Sequence, residues 1–235
     1  MHMKFPLGTT MSMRVHMELG QAIVTGAYDE TPLPSENELC EQFGASRTVI
    51  REAIKLLTAK GLIFTRQRFG TRINPVRDWN LLDPDVTTWL ALRPPSKRMC
   101  LEFAHMRLAI EPVAASLAAK CSNAELIGDV ERQFSEMERF KDNPGRLREA
   151  DVAFHIAILR ASENDVFWRL NGFIKAALEM SIGISQESGG ISIDLHNDLF
   201  QAIISRQPDE AEHQARRLLQ NAIRLIEAHV WNSVD

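Results

Sequence analysis

Asp151 and His155 stand four residues apart, a spacing that stacks two side chains on one face of a helix. His196 lies on a later amphipathic run beside Leu195, Leu199 and Ile203. A carboxylate and two imidazoles drawn from two helices make half a cage for a divalent cation such as Zn, Ni or Mn. The spacing leaves plainer readings open. An Asp–His pair at i,i+4 also forms a local hydrogen bond, a buried His is often a satisfied core residue, and the trio also suits direct hydrogen bonds to an acidic ligand. Arg107 sits on a helix running from Leu101 to Lys120 and faces the same bundle centre as Phe103, Ala104 and Glu111. A buried guanidinium must be paired. Glu111, four residues on, is the partner its own helix offers.

A second set is basic rather than ligating. Arg47 and Arg51 share a face of a helix that Ser46 caps, with Thr48 alongside. The N-terminal end of such a helix carries the positive dipole and free N–H groups, which suit phosphate. Ser46 and Thr48 add hydroxyl donors, and an Arg pairs bidentately with guanine O6 and N7. From Arg47 to Arg77 there are eight basic residues against one acid, Glu52. The whole chain of 235 residues carries −4, which by itself argues weakly against nucleic acid. The charge is divided, however: residues 1–80 hold 10 Lys/Arg against 8 Asp/Glu, while residues 81–235 hold 17 against 23. A basic stripe on an acidic protein says more than the total.

The elements that must position these residues are marked in the sequence. Val15, Leu19, Ile23 and Val24 define a first helix from about Met11 to Tyr28, ended by Gly26 and Pro32-Leu33-Pro34. Ser35, with Glu38 three residues on, is a capping box for a short helix to Phe43. After Gly44-Ala45, Ser46 caps a helix over Arg47–Lys60 whose apolar face is Val49, Ile50, Ala53, Ile54, Leu56 and Leu57, and Gly61 closes it. Leu62–Thr65 and Thr71–Ile73 flank a basic turn from Arg66 to Gly70 and read as a hairpin. Three helices and a hairpin make a winged helix-turn-helix, residues 8–76. Residues 77–96 read as a linker with a short helix near Asp83–Leu92 and a stop at Pro94-Pro95. Trp79 and Trp89 are expected to dock this linker onto the domain that follows.

Residues 97–232 read as six amphipathic helices: Lys97–Cys121, Asn123–Asp142, Pro144–Ala161, Asp165–Ser188, Ile193–Ser205 and Pro208–Asn232. Short connections between them predict an antiparallel bundle. The fold class is mainly α. A hydrophobic share of 45% with 25% charged residues fits a soluble chain with a core, and 7% aromatics leans helical. Cys40, Cys100 and Cys121 are odd in number and widely spaced, which fits small buried hydrophobes in a reducing cytoplasm. No run approaches the ~18 apolar residues of a membrane span, and no signal-peptide core is present. Met1, Met3, Met11 and Met13 leave the true start open.

The run LPSENELCEQFGASRTVIREAIKLLTAKGLI, followed by a Gly-tipped wing, resembles the winged helix of the GntR family of transcription regulators over residues 11–73, with Ile50 where Val is usual. The resemblance implies DNA contact from Asn37, Ser46, Arg47, Thr48, Val49, Arg51, Gln67, Arg68 and Gly70. Arg47 and Arg51 would lie at or near the bases. Arg66, Gln67 and Arg68 would lie at the wing tip, by the minor groove or backbone. Further on, Arg107–Pro112, Ala150–His155 and His196–Ile203 resemble the FCD domain, the helical effector domain of the FadR-type branch, over about residues 97–228. That resemblance implies a metal held by Asp151, His155, His196 and a fourth His 22 positions later. Leu218 occupies that position; His213, Asn221 and His229 are near it but off the expected turn. The family pattern also implies that Arg107 clamps an organic acid, giving an effector set of Arg107, Asp151, His155 and His196. The linker run Trp79–Val86, with Trp89, resembles regulators of galactonate and related sugar-acid catabolism, which implies an aldonate or hexuronate as effector.

Together these readings predict a cytoplasmic homodimer, with no membrane partner, that binds a palindromic double-stranded DNA operator as a repressor and is no enzyme. Two rivals compete. In a helical metal-dependent enzyme, Asp151, His155 and His196 would activate water. It needs a base, and Glu149 and Asp194 stand at no motif spacing. In a ligand-independent architectural DNA binder, the helical domain would serve only to pair two chains.

Overall fold

A computed structural model of the chain describes residues 9–66, 70–187 and 191–231. They form two compact units that divide after Pro94. The first holds α1 (Met11–Val24), α2 (Glu36–Phe43), α3 (Arg47–Ala59), the antiparallel pair β1 (Ile63–Arg66) and β2 (Gly70–Ile73), a 3-10 turn at Val76–Asp78, and α4 (Pro84–Leu90). Local chemistry sets most of these ends. The Ser35 side chain accepts from Glu38 N while the Glu38 carboxylate takes Ser35 N at 2.7 Å, so both halves of the capping box are present. Ser46 Oγ accepts from Val49 N and starts α3. α1 stops at Val24, earlier than the periodicity suggests, because Gly26 turns the chain at φ +89. Ile63 pairs with Ile73 and Arg66 with Gly70. Leu19, Ile23, Leu39, Ile50, Leu57 and Leu62 are the centre of this unit's core, each at most 1% exposed.

Trp79 and Trp89, expected to dock the linker onto the helical domain, are buried within the first unit. Segment 77–94, which the sequence presents as a linker, is a strap across this unit. The physical reasons are specific. Gly20 leaves a notch on α1 in which the Trp89 ring sits, so close that a Cβ there would lie 2.3 Å from it. Trp79 Nε1 donates to Asn74 O at 2.8 Å. Lys60, at the end of α3, holds Asp83 at 2.7 Å and Asp85 at 2.8 Å. Arg93 donates to Val24 O at 2.9 Å and to Asp29 at 2.8 Å.

His16 lies under this strap. It is 2% exposed, its ring is 5.4 Å from that of Trp89, and neither ring nitrogen has a hydrogen-bond partner. Asp85 Oδ2 is 3.8 Å from Nε2, with Lys60 and Asp83 behind it. Burial lowers the pKa below its ordinary 6.5, the pull of Asp85 and Asp83 only partly opposing it. The unfolded chain therefore takes up this proton at a higher pH than the folded one. Stability from His16 is complete above pH 6.5 and is lost as the pH falls below that value. Urea melts of the first unit are expected to weaken below pH 6.5 with a slope of at most about 1.4 kcal/mol per pH unit from this group. His16→Phe should remove that part of the slope; an identical pH profile in the variant would refute it.

The second unit is helical throughout its described residues: α5 (Lys97–Lys120), α6 (Ala124–Arg139), α7 (Pro144–Ala161), α8 (Asp165–Arg169), α9 (Asn171–Glu187), α10 (Ile193–Ile204) and α11 (Pro208–Ala228). The periodicity across Asp165–Ser188 suggests one helix, but the chain breaks at Leu170, where the Asn171 side chain captures the carbonyl of Trp168 at 2.5 Å. α5 packs along α11 and also meets α7, α9 and α10. The core runs from Ala115 and Ala118 through Phe134 and Phe154 to Leu199.

Candidate metal centre and DNA-reading face

α7 and α10 bring the ligating residues together. Asp151 and His155 stand one turn apart on the buried face of α7, between Ala150, Phe154 and Ile158. α10 starts at Ser192, whose hydroxyl caps Leu195 N, and His196 follows in its first turn. His196 Nε2 lies 2.8 Å from Asp151 Oδ1, and His155 Nε2 lies 3.8 Å from the same oxygen. Ligand atoms of all three lie within 4.8 Å of one another, and each residue is at most 5% exposed.

The outer nitrogens are tied elsewhere. His196 Nδ1 donates to Ser192 O at 2.7 Å. His155 Nδ1 is 2.7 Å from Glu111 Oε2. With the proton on Nδ1 of both rings, each Nε2 turns a lone pair toward Asp151. The contact from His196 Nε2 is short but off the line a hydrogen bond requires, so this buried nitrogen has no hydrogen-bond partner. Two imidazoles oriented through their far nitrogens, converging with a carboxylate on one point, are a donor set that fits a divalent cation.

Glu111 also receives Arg107, Nε at 2.5 Å and Nη2 at 3.3 Å. Arg107 is thus paired within its own helix, and it also borders the cavity beside the trio. Burial pushes the Glu111 carboxyl up, but Arg107 and His155 outweigh it and hold it at about 2. Burial likewise raises Asp151, and His196, His155 and Arg107 bring it below its ordinary 3.8. A cavity of about 50 Å³ opens beside the trio, lined by Arg107, Ser181, Ser192, Leu218 and Asn221 among others. A smaller void of about 10 Å³ lies behind His155, between Ala114, Ala115 and Ala215, and Leu218 borders both. Leu218 therefore faces the trio, as the family pattern implies for that position. Leu218→His is expected to tighten zinc binding at least about tenfold by adding a fourth ligand, read by competition with a chelating dye; an unchanged affinity would place residue 218 out of reach.

Three contributors were not evident from spacing. Glu111 holds His155 as well as Arg107. Ser192 orients His196 through its carbonyl, four residues back in the helix. Asn221 lines the cavity, although its distance from Leu218 suggests the wrong turn. His213 is exposed and His229 meets Trp231 edge to face, ring centres 4.9 Å apart. Glu149 is exposed and pairs with Arg146.

In the first unit Asn37, Ser46, Arg47, Thr48, Arg51 and Gly70 are exposed and Val49 is half-buried. Arg47 pairs with none of the described residues. Arg51 Nε is held by Glu36 of α2 at 3.0 Å, an exposed pair that is cheap to break. Ser46 uses Oγ as an acceptor for its cap, which leaves the hydroxyl proton free to donate. Gln67 and Arg68 lie outside the described residues.

Residues 12–73 match the profile of the bacterial regulatory proteins, gntR family, and residues 102–221 match the FCD domain. The chain is 36% identical to the uncharacterized HTH-type transcriptional regulator YieP of Escherichia coli K12, over 87% of this chain and 90% of that protein. It is 31% identical to the galactonate operon transcriptional repressor of the same organism, over 91% and 95%. Among solved structures, Lar, which controls expression of the Listeria monocytogenes agr system, aligns at a TM-score of 0.60 with 18% identity, covering 96% of this chain and 99% of that one.

Proposed function

We propose, for a chain that belongs to the GntR family of bacterial regulatory proteins and carries an FCD domain, a repressor that a sugar acid releases from its operator. Membership makes it a DNA-binding transcription regulator and not an enzyme. The observation that carries the effector half of the proposal is the buried convergence of Asp151, His155 and His196. A divalent cation held by these three would supply a Lewis-acidic point for a carboxylate and its neighbouring hydroxyl. The charges agree. Asp151 and Glu111 offset the Arg107 guanidinium in this buried site, and a dication held by the trio would add positive charge that attracts an acid.

The similarity to a galactonate operon repressor supports an aldonate or hexuronate as the acid. The cavity beside the trio is where the carboxylate end of such a molecule would enter. Differential affinity for two arrangements of the chain is what lets a ligand shift DNA binding. We take the active species to be a homodimer reading a palindromic operator. The outer face of α5 supports this: Leu101, His105, Leu108, Ala109 and Val113 are partly or fully exposed, and from Phe103 to Ala119 the only Arg, Lys, Asp or Glu side chains on the helix, Arg107 and Glu111, are buried. A helix apolar on all sides calls for cover on all sides.

Arg47 is the residue placed at the bases. On a duplex selected by binding from a random pool, Arg47→Ala should bind roughly 10- to 100-fold more weakly in fluorescence anisotropy. Zinc with a sugar acid should release the wild-type chain. Undiminished affinity in Arg47→Ala would remove its assignment, and a complex insensitive to every aldonate and hexuronate would favour the architectural binder.

A further inference from the structure

The cavity beside the trio carries, on its α11 wall, a polar group that the trio does not use. α11 walls it with Leu218, Leu219, Asn221, Ala222 and Leu225, one face of the helix, apolar except for Asn221. Several other polar side chains that border the space have partners of their own. Arg107 is tied to Glu111, Ser192 caps α10, and the Ser181 hydroxyl donates to the carbonyls of Ala177 at 3.0 Å and Leu178 at 3.1 Å. Asn221 is half-buried. Its carboxamide oxygen accepts one long bond from the exposed Arg224, 3.4 Å, and its NH₂ donates to none of the described residues. A half-buried carboxamide on an otherwise apolar wall is the polar group of α11 that a ligand in this cavity would meet.

We infer that Asn221 is the specificity-determining contact of this site: it hydrogen-bonds a hydroxyl of a polyhydroxy acid whose carboxylate end lies at the trio. The inference rests on the sugar-acid reading above and assigns which part of the molecule is recognised, and by what. Asn221 stands about one turn beyond Leu218, which faces the trio. One turn is a rise of roughly 5 Å, several carbons along an extended acid chain. A carboxamide both donates and accepts, as does a hydroxyl, so the two are matched. A short hydroxy acid that offers only the carboxylate end reaches the trio and not Asn221. Binding sites that hydrogen-bond a hydroxyl reject analogues that lack it more strongly than apolar pockets reject a missing methylene.

The full-length chain, loaded with zinc, is titrated by calorimetry with D-galactonate, D-gluconate and D-glucuronate, and with glycolate as the short acid. The wild type is expected to bind at least one of the three longer acids more tightly than glycolate. Asn221→Leu should reduce that preference tenfold or more while leaving zinc and glycolate affinities unchanged, and Asn221→Ala should do the same should the leucine distort the wall. A preference retained in either folded variant overturns the role of Asn221 and leaves the proposed function standing. A wild type with no preference for the longer acids removes the sugar-acid reading, and the role of Asn221 with it.

Discussion

Zinc that raises the melting temperature of the wild-type chain should leave Asp151→Asn almost unmoved. Asn keeps the shape of the side chain and removes the anion on which both imidazoles converge, at 2.8 Å and 3.8 Å. A cation present at a hundred times its dissociation constant stabilises the folded state by about 2.7 kcal/mol. For a unit of this size that is roughly 10 °C. Loss of the carboxylate is expected to weaken zinc at least about a hundredfold, which cuts the shift to roughly 1–2 °C at the same concentration. The isosteric change keeps the fold, so operator binding without acid should survive. Release of the operator by acid should not. An equal zinc shift in wild type and variant would put the cation elsewhere in the chain.

Gly61→Ala is expected to cost the first unit on the order of 3 kcal/mol. Two effects add. Gly61 sits at φ +72, where a side chain is strained. A Cβ there would also stand 2.4 Å from the carbonyl oxygen of Asp78, which is backbone and cannot rotate aside. Nor can the strap retreat, because Asn80 N bonds Lys60 O at 2.9 Å and Trp79 Nε1 bonds Asn74 O at 2.8 Å. Gly44 supplies the control. It too has positive φ, +58, but nothing lies within 4 Å of its Cβ position. Gly44→Ala should therefore cost only the backbone strain, about 1 kcal/mol. Urea melts of both variants read the difference, and equal losses at the two positions would mean that the strap yields.

The local grammar of the first unit was readable because each boundary is written in adjacent residues. Ser35 with Glu38, Ser46 before Arg47, and Gly61 after Lys60 all act within one turn. The strap was not readable, since what draws it down is a notch at Gly20 and a cation at Lys60, both far from Trp89 in the sequence. An aromatic run after a winged helix looks like a linker until that notch is seen. The same holds at the buried Asp151, His155 and His196 group. Asp151 and His155 declare themselves by helical spacing, and His196 by family pattern. Glu111 holding His155, Ser192 holding His196 and Asn221 bordering the cavity depend on how separate helices are turned, which spacing along one helix does not specify. Arg107 shows the limit most directly. Both a ligand clamp and an internal pair satisfy its burial, and the fold shows that Glu111 takes two of its nitrogens.

The burial of Trp79 and Trp89 has an optical consequence. Both indoles lie inside the DNA-reading unit, 6% and 1% exposed, whereas Trp168 in the second unit is 36% exposed and Trp231 is half-buried. Sheltered indoles emit to the blue and resist collisional quenchers; wetted ones emit to the red and quench readily. The unlabelled protein thus carries its own pair of colours, blue for the module that meets DNA and red for the FCD module. A titration followed at both edges of the emission band would report on each without a dye.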